Sequence, residues 1–71
     1  MAAYVAGTWR VEVIGTRATP DDPPYYRYKV RDHGFLHYEG TDLVRVRLIL
    51  EEAGVAWGDL RPAEEPEAAA G

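Results

Sequence analysis

The stretch TWRVEVIGTR, residues 8–17, sets Trp9, Val11 and Val13 on one side and Arg10 and Glu12 on the other. Such alternation is the pattern of a strand with one buried face. The ATPDDPP that follows carries Pro20, Pro23 and Pro24. These remove backbone donors and hold the chain near polyproline II, so the segment reads as a stiff surface loop.

Alternation resumes in YYRYKVRDHGFLHYEG, residues 25–40, broken in the middle by Asp32-His33-Gly34. A three-residue hairpin loop closed by Gly34 in the left-handed region opposes Arg31 to Phe35, Val30 to Leu36, Lys29 to His37, Tyr28 to Tyr38 and Arg27 to Glu39. Apolar pairs then share one face and polar pairs the other. A two-residue turn at His33-Gly34 instead sets Arg31 against Leu36 and Val30 against His37, mixing the faces. The three-residue loop is therefore the expectation. It puts Tyr26, Tyr28, Val30, Leu36 and Tyr38 with Trp9, Val11 and Val13 on the inner face.

LVRVRLIL, residues 43–50, alternates well enough for a strand, but its flanks favour a helix. Thr41 and Asp42 suit an N-cap, Glu51, Glu52 and Ala53 are followed by Gly54 at the C′ position, and Val55 supplies the apolar contact of a Schellman close. Helical spacing gathers Leu43, Val46, Ile49, Leu50 and Ala53 into a stripe facing the sheet. It leaves Val44 and Leu48 on the opposite side, among Arg47, Glu51 and Glu52. VAWGDL then folds back, with Val55, Trp57 and Leu60 capping one end of the helix.

The expected fold is α+β: a three-stranded antiparallel β-meander with one α-helix packed on one face, in the order β-β-β-α. Residues 1–60 form the single small domain and residues 61–71, rich in Pro, Glu and Ala, a disordered acidic tail.

Length adds a constraint on stability. A domain of 71 residues with no cysteine has a thin core and no disulfide to reinforce it, which makes association with another chain the usual supplement. The opening MAAYVAGTW has neither a basic n-region nor a continuous apolar stretch, and no segment approaches the roughly 20 apolar residues of a membrane span. A soluble, cytoplasmic protein is expected. The preference for Arg over Lys, with frequent Ala and Gly, points to a GC-rich bacterial or phage genome.

The formal charge of −4 includes Glu64, Glu65 and Glu67, and without these three the remainder carries −1. Net charge therefore does not exclude a nucleic-acid partner.

Candidate chemistry is sparse. His33 and His37 with Asp32 and Glu39 form the one grouping suited to acid/base or metal chemistry, yet the expected register puts His33 at a turn tip and His37 on the open face. Asp21 and Asp22 lack the further oxygen donors of a calcium site. No nucleophile-base arrangement or phosphate loop is present, and so short a chain hardly encloses a substrate cavity. No enzymatic activity, cofactor, bound metal or small-molecule substrate is expected.

Two functional readings follow. The first is a non-enzymatic protein-protein interaction or regulatory module, dimeric or part of a larger assembly, binding through Val44, Leu48 and Trp57. The alternative is a nucleic-acid-binding domain that uses the outer sheet face, with Arg10, Tyr25, Arg27, Lys29, Arg31, Phe35 and His37 as contacts. On that face Arg10, Arg27, Lys29 and Arg31 outnumber Glu12 and Glu39. An ordinary solvated face with a cross-strand Arg27–Glu39 pair has the same pattern.

Overall fold

The computed structural model describes residues 2–63. Strands β1 (Ala2–Ala6), β2 (Trp9–Thr16), β3 (Tyr25–Asp32) and β4 (Phe35–Gly40) precede helix α1 (Leu43–Glu52), a 3₁₀ turn (Trp57–Asp59) and the short strand β5 (Arg61–Pro62). The strands make one antiparallel sheet in the order β4-β3-β2-β1-β5. The α+β class holds, but the three-stranded meander must be corrected: β2, β3 and β4 are only its middle and one margin.

The two additional strands arise at opposite ends of the described chain. Gly7 takes a positive φ of 60° while Thr8 does not, the requirement of a II′ hairpin turn, and Ala6 pairs with Trp9 around it. The chain returns after the 3₁₀ turn to pair Val5 with Arg61 and Tyr4 with Pro62. The Ala63 amide then donates to the Ala3 carbonyl at 2.8 Å. The folded part thus passes the expected limit at Leu60. Residues 64–71 of the expected tail lie outside the described residues.

The β3–β4 register also needs correction. Asp32 faces Phe35 and Arg31 faces Leu36, so the loop is the two-residue His33-Gly34. Both residues have positive φ, 51° and 84°, as a I′ turn requires. The feared mixing of faces is avoided by a bulge: the next pair is Val30 with Tyr38, leaving His37 as the extra residue of β4. Beyond it the inner face is restored. The consequence falls on the turn-side half of β4, where Leu36 shares the outer side with Arg31 and is 49% exposed. His37 instead meets Trp9 of the inner face, ring centroids 5.0 Å apart.

Helix α1 has the expected ends. The Asp42 carboxylate accepts from the backbone N–H groups of Val44 (3.0 Å) and Arg45 (3.3 Å), a two-donor N-cap. At the other end Val55 N–H donates to Leu50 O at 2.9 Å and Gly54 N–H to Glu51 O at 3.0 Å, with Gly54 at φ 81°, the two bonds of a Schellman motif. Val46 and Leu50 are fully covered and meet Val11 and Val30 of the sheet, while Trp9, Val13, Tyr28, Tyr38, Ile49, Val55 and Leu60 pack around them. The stripe is shorter than its sequence pattern, since Leu43 at the first turn is 45% exposed. One ten-residue helix lying on β3 is too narrow to roof five strands, and beside β1 and β5 the inner face is left to the 3₁₀ turn.

Candidate interaction surfaces

The outer sheet face follows from the registers. Val5 opposes Arg10 and Arg61, Arg10 opposes Arg31, and Glu12 opposes Lys29, which in turn opposes Glu39. Five of the eight Lys and Arg side chains therefore share this face (Arg10, Arg27, Lys29, Arg31 and Arg61), against only Glu12 and Glu39 among the nine Asp and Glu of residues 2–63. Both carboxylates are engaged by arginine. Glu12 receives Arg10 at 3.1 Å and Arg31 at 3.6 Å, and Glu39 receives Arg27 at 3.5 Å.

This face differs from the sequence reading in its margins. Arg61, assigned above to the tail, is brought beside the basic cluster by β5. Phe35 pairs with Asp32, which itself opposes inward Trp9, and the His37 ring packs at a tilt of 42° against Trp9. Neither ring joins Arg27, Lys29 and Arg31. Tyr25 does lie on the outer side, opposite Thr16, and is 48% exposed.

A second surface opens on the inner side. Tyr4, Val11, Val13, Tyr28, Leu43, Trp57 and Leu60 line an apolar recess of about 390 Å³ between the start of α1, the 3₁₀ turn and the β1–β2 surface. Tyr4, Leu43 and Trp57 are all more than one-third exposed at its rim. Val44 and Leu48, at 67% and 50% exposure, stand on the solvent side of α1. Trp57 lines the recess, and Val44 and Leu48 are not among the residues that line it. Tyr4 and Leu43 belong with Trp57 and were missed. Helical spacing places Leu43 in the stripe that faces the sheet, and Tyr4 lies in a strand its alanine-rich surroundings conceal.

A small polar cluster joins the β1–β2 and β3–β4 turns. Thr8 Oγ1 donates to Asp32 Oδ1 at 2.5 Å, His33 Nδ1 stands 3.1 Å from the same oxygen, and the His33 amide donates to the Thr8 carbonyl at 3.1 Å. The Asp32 carboxyl is held below its ordinary range first by the Thr8 hydroxyl. Partial desolvation opposes this, and the charges of His33 and His37 reinforce it. Here the hydroxyl donates to an anion rather than losing its proton to a base, an arrangement suited to bracing two turns rather than to generating a nucleophile. His33 and His37 face different neighbours, and the described residues contain no group of three or more His, Cys, Asp or Glu placed to hold a metal ion.

Among the described residues no helix is long and apolar enough to cross a membrane. No family model, curated protein or solved structure matches the chain.

Proposed function

We propose that the chain is a non-enzymatic protein-interaction module, and that it presents the recess bounded by Tyr4, Leu43 and Trp57 to a second copy of itself. The observation that carries this reading is the incomplete roof over the sheet. Among the described residues only Val11, Val30, Val46 and Leu50 are buried, while the recess keeps two aromatic rings and a leucine exposed beside them. A core this small leaves little stability in hand. Covering the rim removes apolar surface from water at about 25 cal/mol per Å². A two-fold arrangement lets each copy cover the other's recess.

Light scattering over a range of concentrations tests the proposal. The wild type should be a dimer, and Leu43→Glu, a change at an exposed position, should shift it to monomer while retaining the native circular dichroism spectrum. A wild type that is monomeric throughout refutes self-association. If Val44→Glu rather than Leu43→Glu dissolves the dimer, the outer side of α1 is the interface and the recess is not.

A further inference from the structure

We propose that the outer sheet face binds single-stranded nucleic acid along β3, independently of the recess. Charge is strongly segregated in this protein. The outer face holds five fixed cations and two carboxylates, whereas the rest of residues 2–63 holds only Arg17, Arg45 and Arg47 against seven carboxylates. A chain that is acidic overall thus concentrates positive potential on one open surface, and such a surface attracts a polyanion regardless of net charge.

The arrangement within the face selects the kind of polyanion. Outward positions along a strand recur about every 7 Å. Arg31, Lys29, Arg27 and Tyr25 therefore make a line of three cations ending in a half-exposed ring. Arg10 stands directly opposite Arg31, a like-charge pairing that is unfavourable across strands. Glu12 lies between them and pairs with both. Lys29 and Arg61 make no ion pair among the described residues. A phosphate backbone laid along this line meets the surplus charge, and a base splayed from it can stack on Tyr25. Duplex fits less well, because the flat face projects no helix or ribbon into a groove.

Fluorescence anisotropy with labelled oligothymidylate and a mixed-sequence duplex tests this. With three phosphates contacted along Arg31, Lys29 and Arg27, log K should fall against log salt with a slope of about −2 for the single strand. Arg27→Glu with Lys29→Glu should weaken binding by about tenfold or more. Arg45→Glu, which reverses a single charge on the helix, should leave it within about twofold. Absence of binding at low salt, an equal loss in Arg45→Glu, or tighter binding to duplex than to oligothymidylate each overturns the proposal. Should the double variant lose its native spectrum, Tyr25→Ala decides: a several-fold loss at unchanged salt slope supports the track along β3, and unchanged affinity refutes it.

Discussion

The ring of Tyr38 lies across Gly40, two residues further along the same face of β4. A Cβ built on Gly40 would stand 2.8 Å from Tyr38 Cζ and closer still to the phenolic oxygen. That oxygen accepts from the Asp42 amide at 3.1 Å, so the strand, its exit and the helix cap meet at one point. Gly40→Ala must displace the ring and break this hydrogen bond. Overpacking of this type costs about 1–3 kcal/mol. Urea unfolding should show the loss as a lower midpoint at unchanged slope, whereas wild-type stability would show that the ring moves freely.

The Thr8–Asp32 hydrogen bond makes a prediction about acid. Because Asp32 titrates lower when folded than when unfolded, its contribution is complete above the unfolded value of about 3.9 and is lost as pH falls through the folded value. Thr8→Val should raise the Asp32 pKa towards the ordinary value, as read by carboxyl-carbon NMR. It should also lower Tm at neutral pH, with the difference from wild type shrinking towards zero in strongly acidic solution. A difference that persists undiminished in acid would assign the effect of Thr8 to packing.

Asp42 satisfies two amides of the first turn of α1. Asp42→Ala should cost about 1 kcal/mol, and Asp42→Asn should recover most of it, because the amide oxygen still accepts. Thermal unfolding followed at 222 nm measures both, and an unperturbed alanine variant would show that the cap contributes nothing.

Leu50 is completely covered, among Val11, Val30 and Val46. Leu50→Ala removes apolar contact and leaves a cavity, at about 2–5 kcal/mol. With so few buried side chains to compensate, the variant should be largely unfolded at room temperature by circular dichroism. Leu48→Ala, half-exposed two residues earlier, should fold normally.

Legibility in the sequence followed how local each signal was. The α1 caps were readable because Asp42, Gly54 and Val55 act within a few residues of the backbone groups they satisfy. β2 and β3 were readable because their alternation runs for eight residues each. β1 was not, since only Tyr4 and Val5 among its residues are large and apolar; pairing with β2 across Gly7-Thr8 supplies what propensity does not. β5 was hidden for a stronger reason: a two-residue strand containing proline exists only because β1 offers it an edge. The hairpin register failed instructively. Face parity is essential to the hairpin, but the chain meets it by adding His37 as a bulge rather than by lengthening the turn. The same device moves Leu36 outward and His37 against Trp9, so the candidate sites changed where the register did. Arg61 entered the basic face only through β5, and no local pattern marks it.

The pairing of β1 with β5 brings the first and last described residues side by side, with Ala63 bonded to Ala3. Tension applied at these ends would load the β1–β5 hydrogen bonds one after another, because they lie along the direction of pulling. The sheet should peel from that margin like a zipper at low force, instead of resisting as strands sheared lengthwise do.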